Sequence, residues 1–424
     1  MEMRLIIFQH GITFSGGSER ITLEEQKYFS ERGIESTIAT FYYNDTVFNK
    51  SYRPTVHTMG PQRLSRVFAV KFLQKVYSLR KFIKTYRPGH IFSVGEEGCV
   101  YTYLATLFTG FKYSGHIAQT IFWDVYDPGD KSEDRAKFLD GRYSLMFRSG
   151  YQEVRNSTVG HLDSLPQEIP RMSVLRRGLI EILGLLTFIA VRKAEHLYVH
   201  SQKMKWEVQK MYKRESFVLK GAYPRRMLNR SRKTKPVFPA RARGKKVILS
   251  ICRLVPKKRV DLIIRAFGIL ARDRNDVVLV IGGTGEAEKD LKGLADELDV
   301  SAHVVFAGFI DESHLYDYYN SCDAFVSADH ADFDIATYLA LGCLKKCVWS
   351  VENECDDDLV TSNLVFPADV APESFAQAMD LALRSRRKVN FDVEKYTWEN
   401  YFETISGIDR LVKSDRESAV EKYA

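Results

Sequence analysis

The residues best suited to chemistry lie in one turn, Ser250-Ile-Cys-Arg-Leu-Val-Pro-Lys-Lys-Arg259, where an apolar strand ends and a helix of the form VDLIIRAF starts. A diphosphate needs fixed positive charge together with the N–H groups that a helix leaves unpaired at its start, and this turn offers both. Arg253 and Lys258 are therefore candidate phosphate ligands, with a solvated basic turn as the alternative. Two glycine turns have related placement. Ile281-Gly-Gly-Thr-Gly-Glu286 closes an apolar strand and opens a helix, so Gly283 and Thr284 could let backbone approach a donor or simply reverse the chain. Gly16-Gly-Ser-Glu-Arg20 stands at the first strand-to-helix turn, where Gly16 and Gly17 could admit a phosphate to a helix N-terminus.

The elements that must position these turns alternate between strand and helix. Arg4–Phe8 reads as a buried strand, Ser18 as the N-cap of a helix ending at Gly33, and Glu35–Thr40 as the next strand of a βαβ unit. His90–Val94 (strand), Val100–Phe108 (helix), Lys112–Thr120 (strand), Val174–Val191 (helix), His196–His200 (strand), Gln202–Met211 (helix) and Ser216–Leu219 (strand) carry the alternation to about Pro224. Arg225–Lys246 breaks it, being rich in Arg and Lys with two prolines and no hydrophobic period. A fresh alternation then runs from Val247 to Ser327. The organisation expected is a first domain at 1–224, a linker at 225–246, a second domain at 247–390 and a helical segment at 391–424 with Tyr396–Val412 on the surface. The fold class is α/β, two Rossmann-like parallel-sheet domains with ligands at the carboxyl ends of strands.

Composition sets the outer limits. A chain of 424 residues exceeds what one core ordinarily supports, and 45% apolar with 27% charged residues is the balance of a globular protein. The six cysteines form no CxxC pair, so neither a zinc site nor a disulfide framework is expected. MEMRLIIFQHG lacks the basic start and cleavage signal of a leader, and Leu179–Val191 is too short to span a bilayer, so a cytoplasmic location is expected. Gln62–Pro88 carries eight lysines and arginines and no acid, with Val67, Val70, Phe72, Val76, Leu79 and Ile83 near helical spacing. It reads as a basic amphipathic helix, either a solvated face or one that lies on anionic membrane at the inner face. Although the net charge is +8, no nucleic-acid-reading motif or interleaved stacking aromatics are present, so no nucleic-acid partner is expected.

Taken in order, Gly16-Gly-Ser-Glu-Arg20, ICRLVPKKRVDLIIRAF, VLVIGGTGEAEKDL, VVFAGFIDESHLYDYYNSCDAFVS and LALGCLKKCVWS resemble the retaining GT-B glycosyltransferases that include sucrose-phosphate synthases and bacterial mannosyltransferases. The resemblance implies two domains facing a cleft, a nucleotide-sugar donor as substrate, no resident cofactor or metal, and a glycan or lipid-linked acceptor. It also implies donor-diphosphate contacts from Arg253 and Lys258, with Gly16 and Gly17 near the same phosphates, and a histidine on a loop of the first domain facing the donor sugar. His116 and Gln119 both compete for that place.

The departure from the family pattern is local. The family's two glutamates, eight positions apart in EGFGLPLLEAMACG, fall on Ala331 and Leu339 of ADFDIATYLALGCL. Leucine cannot accept hydrogen bonds from ribose hydroxyls. Asp332 and Asp334 are the candidate replacements, with Asp329, Glu352 and Glu354 nearby, and an acidic surface loop is the alternative. Two functions follow: a hexose-transferring enzyme, or a degenerate relative that acts as a binding or partner subunit.

Overall fold

The computed structural model describes residues 4–13, 17–45, 53–60, 67–118, 150, 153–154, 174–228, 237–329, 334–353 and 357–405. They form two compact units, the first ending at Leu219 and the second beginning at Lys220.

The first unit is built on a parallel sheet of seven strands: β1 (Arg4–Phe8), β3 (Glu35–Thr40), β5 (Val56–Thr58), β6 (His90–Val94), β7 (Tyr113–Ile117), β8 (Leu197–Val199) and β9 (Phe217–Val218), with a small side pair of β2 (Gly11–Ile12) and β4 (Tyr42–Tyr43). Its order is β5-β3-β1-β6-β7-β8-β9, and Ile7 lies between Ile38 and Phe92 in register. The helices are α1 (Gly17–Glu31), α2 (Phe68–Tyr86), α3 (Gly95–Thr106), α4 (Val174–Lys193) and α5 (Gln202–Tyr212). Two differ from expectation at their starts. Ser18 lies inside α1, not at its cap, and α3 begins at Gly95, ahead of Val100, because Glu96 and Glu97 suit the positive end of a helix.

The second unit repeats the plan with β10 (Lys246–Ile251), α6 (Val260–Asp273), β11 (Val277–Gly282), α7 (Glu288–Glu297), β12 (Val304–Gly308), α8 (Glu312–Ser321), β13 (Ala324–Ser327), α9 (Ile335–Gly342), β14 (Lys346–Ser350), α10 (Asp357–Thr361), β15 (Val365–Ala368) and α11 (Pro372–Arg384). The strands are parallel in the order β12-β11-β10-β13-β14-β15. The unbroken apolar run of β11 follows from burial on both faces. Val277, Leu279 and Ile281 pack with Ile263, Phe267 and Met379, while Val278 and Val280 pack with Tyr319 and Trp349.

The described parts of two boundary regions, read from the sequence as linker and surface helix, pack into this core, while 229–236 and 406–412 lie outside the described residues. The chain enters the second unit at Lys220, ahead of the basic stretch, and Tyr223 is fully buried. Phe238 sets its ring edge-on against Tyr318, and Ala242 is buried. The helix at 398–405 is likewise interior: Trp398, Tyr401, Phe402 and Ile405 are buried, and Trp398 N–H donates to the Tyr223 carbonyl at 3.0 Å. Four large apolar side chains in eight residues outweigh the polar neighbours that suggested exposure.

Candidate functional site

In an open parallel sheet the chain leaves room for a ligand where strand order reverses, because the loops on either side diverge. In the second unit that point lies between β10 and β13. The β10 loop carries Arg253, Lys258 and Arg259, and the β13 loop carries Asp329 and Asp334. Loops after β11 and β14 flank them with Gly283 and Glu352.

The glycines of the β11 loop act on backbone. Gly283 has φ +119°, and a Cβ there would stand 1.8 Å from the Cys252 carbonyl oxygen; one at Gly285 would stand 2.2 Å from that of Leu254. Close packing lets Leu254 N–H donate to the Thr284 carbonyl at 3.0 Å and Ala287 N–H to the Leu254 carbonyl at 3.0 Å. Gly283 N–H is committed to the Gly308 carbonyl at 2.7 Å. Gly283 thus lets the backbone of 252–254 lie close against the β11 loop, while the Thr284 side chain is exposed.

The cations are paired. Lys258 donates to a carboxylate oxygen of Asp329, with side-chain exposures of 16% and 5%. Burial works to lower the Lys258 pKa, but Asp329 and Asp334 outweigh it and hold the ammonium above the ordinary lysine value. Arg259, in the left-handed region at φ 49°, donates to Glu352. Asp334 caps α9, accepting from Ala336 N–H at 3.1 Å and from the Thr337 hydroxyl at 2.6 Å. Asn353 ties the two carboxylate loops by donating to the Asp329 carbonyl at 2.8 Å. Two ion pairs, Lys258 with Asp329 and Arg259 with Glu352, therefore tie the β10 loop to the loops after β13 and β14.

Other expected residues lie elsewhere. Gly16, Gln119, Ala331, Asp332 and Glu354 fall outside the described residues. Gly17 opens α1, whose first turn already holds the buried Glu19 carboxylate, bonded by the Gln9 amide at 3.2 Å. His116 is 1% exposed; its Nδ1 lies 3.2 Å from Glu25 and its Nε2 3.1 Å from His200 Nε2. Such burial does not support direct contact with a donor sugar, and we assign His116 to an interior polar chain that ends on the Leu219 carbonyl, 3.3 Å from His200 Nδ1. Leu339 is 3% exposed and packs in the core of the second unit. Arg259 was present in the turn but not singled out; a third cation following Lys257 and Lys258 was its only signal.

Sequence reading did not anticipate a second cluster at the strand reversal of the first unit, between β1 and β6. Lys75, 5% exposed, donates to His10 Nε2 at 2.6 Å and lies over the rings of Tyr42 and Phe41 at 4.6 and 5.1 Å. Burial, then Lys75 and Lys71, lower the His10 pKa to about 4, so its ring accepts from the ammonium. On α2, Leu79 and Ile83 are buried, and an exposed apolar stripe runs through Val67, Val70, Leu73 and Tyr77. Among the described residues no helix is long and apolar enough to cross a membrane, and no group of three His, Cys, Asp or Glu is placed to hold a metal ion.

Comparison with known proteins places this geometry. Residues 231–390 match the family model "Glycosyl transferases group 1". The chain is 33% identical over 96 residues to alpha-monoglucosyldiacylglycerol synthase of Streptococcus pneumoniae, covering 23% of this chain and 22% of that protein. It is 37% identical over 79 residues to the GDP-mannose-dependent alpha-(1-6)-phosphatidylinositol monomannoside mannosyltransferase of Mycolicibacterium smegmatis, covering 19% and 21%. The matched stretches thus span about a fifth of these relatives. Among solved structures, sucrose-phosphate synthase of Thermosynechococcus elongatus superposes with a TM-score of 0.67 at 12% identity, over 97% of this chain and 100% of that one. Anabaena HepE in complex with UDP gives 0.65 at 15% identity, over 96% and 100%. The chain therefore has the GT-B fold, and its segment 231–390 carries the sequence pattern of the group 1 glycosyltransferases.

Proposed function

We propose that this protein is a glycosyltransferase that moves a hexose from a nucleotide-diphosphate donor to a lipid-linked or polysaccharide acceptor. The observation that carries the reading is the cationic 253–259 turn at the strand reversal of the second unit, within the matched segment. Arg253 and Lys258 would bind the diphosphate and stabilise the charge that develops as the anomeric C–O bond breaks and the acceptor oxygen takes its place. Two cations can neutralise a diphosphate, so the reading needs no metal or resident cofactor. Retention of anomeric configuration belongs to it by resemblance. The names of the two relatives, both lipid-directed, support the acceptor class. The basic α2 with its exposed Val70, Leu73 and Tyr77 supports peripheral contact with anionic lipid at the cytosolic face.

The test is calorimetric titration with UDP, GDP and their sugar conjugates, repeated on Arg253→Ala and Lys258→Ala. Saturable binding that both substitutions weaken at least tenfold is the expected result; no binding to any nucleotide by the folded protein refutes the reading. A second reading, a degenerate partner subunit, is favoured by Ala331 and Leu339 at the glutamate positions and by the carboxylates already paired with Lys258 and Arg259. Nucleotide binding without sugar transfer or donor hydrolysis would select it.

A further inference from the structure

A cavity of about 420 Å³ opens on the second unit where α10 and α11 end and β15, the edge strand of the sheet, begins. The donor loops follow the carboxyl ends of strands, so the two sites lie at opposite ends of this sheet. The volume falls within the roughly 300–1,000 Å³ typical of small-molecule sites. Val360, Phe366 and Leu381 supply an apolar wall, of which Val360 and Leu381 are left 65% and 52% exposed. Arg384, Arg386 and Arg387 also line it, and the described lining contains no carboxylate. Arg384 is engaged by Asp380 at 2.9 Å, a carboxylate that Arg274 shares at 3.1 Å. Among the described residues, the guanidinium groups of Arg386 and Arg387 have no acidic partner.

These two arginines are not needed to close the helix. Ser385 N–H donates to the Leu381 carbonyl at 2.9 Å, and the Lys346 ammonium donates to the Ser385 carbonyl. The turn that carries them is held in place: the Ser385 hydroxyl accepts from Arg387 N–H at 3.4 Å, Asn363 donates to the Lys388 carbonyl at 2.9 Å, and Asn390 N–H to the Ser362 carbonyl at 3.0 Å. A guanidinium fork matches two oxygens of a phosphate, and neighbouring forks favour a doubly charged one. Pro367 withholds an N–H from the edge strand, which disfavours a peptide added there as a further strand. We propose that this cavity binds a phosphate monoester with an apolar substituent, the phosphate on Arg386 and Arg387 and the substituent against Val360 and Leu381. A phospholipid with a monoester headgroup and a soluble alkyl phosphate share this chemistry. The site is independent of the donor reading.

The test is calorimetric titration of the full chain carrying Arg253→Ala, which weakens the donor turn, with hexyl phosphate and with inorganic phosphate. Sedimentation with phosphatidylcholine vesicles, with and without phosphatidic acid, runs beside it. The double substitution Arg386→Gln with Arg387→Gln, Leu381→Ser and the control Lys388→Gln all change exposed residues, so the fold is spared. Expected is hexyl phosphate binding that the double substitution weakens about tenfold and Leu381→Ser roughly threefold, with Lys388→Gln unchanged. Capture by phosphatidic acid vesicles that the double substitution abolishes names a lipid as the ligand; hexyl phosphate binding without capture names a soluble ester. Absence of binding to either probe, binding that the double substitution leaves intact, an equal loss in Lys388→Gln, or hexyl phosphate binding no tighter than inorganic phosphate overturns the proposal. UDP titrated into the chain with Arg253 intact reads the donor site separately: no UDP binding with hexyl phosphate binding preserved refutes the donor reading alone.

Discussion

Both sheets reverse strand order once, and each reversal gathers charged side chains, but the two clusters solve the burial of charge differently. In the second unit the ammonium of Lys258 and the guanidinium of Arg259 are matched by Asp329 and Glu352. In the first unit Lys75 is satisfied by a neutral imidazole and by ring faces, with Glu97 3.5 Å from the same imidazole nitrogen. The same topology thus supplies a place for a ligand without dictating its chemistry. A carboxylate-matched cation can exchange its partner for a phosphate, which offers like charge and more oxygens. Among the described residues, Lys75 has no ion-paired carboxylate to trade.

The most disruptive way to break this contrast is Lys258→Met. It should abolish diphosphate binding and, by leaving Asp329 buried without its ion pair, lower unfolding free energy by about 3–5 kcal/mol, measured by urea denaturation. Lys75→Met should leave UDP or GDP affinity within twofold and cost about 1–3 kcal/mol, because a neutral imidazole loses one bond and no buried charge is stranded. Nucleotide loss in Lys75→Met would erase the distinction between the clusters.

Asp329→Asn sharpens the comparison. If Asp329 competes with phosphate for Lys258, the variant should bind nucleotide diphosphate about tenfold more tightly, a gain near 1.4 kcal/mol by calorimetry. A tenfold loss would instead make the carboxylate a direct donor contact.

The last effect is one of pH. His10 and His200 are held below the ordinary histidine value, to about 4 and about 3, chiefly by burial and then by Lys75 and His116 respectively. The unfolded chain therefore binds more protons than the native one below about pH 6.5. Stability should be full above that pH and fall as pH drops towards 4, by up to about 3 kcal/mol for each of the two histidines. His200→Gln should flatten the decline; an unchanged slope in the variant would remove the buried histidine from the explanation.

Much of the architecture was legible because parallel strands buried on both faces declare themselves as apolar runs. Val277–Ile281 and Ala324–Ser327 emerge at or within one residue of their expected bounds. Short edge strands such as Val56–Thr58 were not, since three residues carry no period. The helix at 398–405 looked superficial because sequence shows amphipathic spacing but not which neighbour covers it.

The amino-acid sequence by itself determined the two α/β units and the Arg253–Arg259 turn, because local charge, glycine placement and hydrophobic period are written along the chain. Only the tertiary structure decided who pairs with whom. Lys258 meets Asp329 across 71 positions and Arg259 meets Glu352 across 93, and His116 is turned into the interior between Glu25 and His200. Such contacts arise where separate strands end side by side, and the order of strands in a sheet is a property of long-range packing that no local pattern encodes.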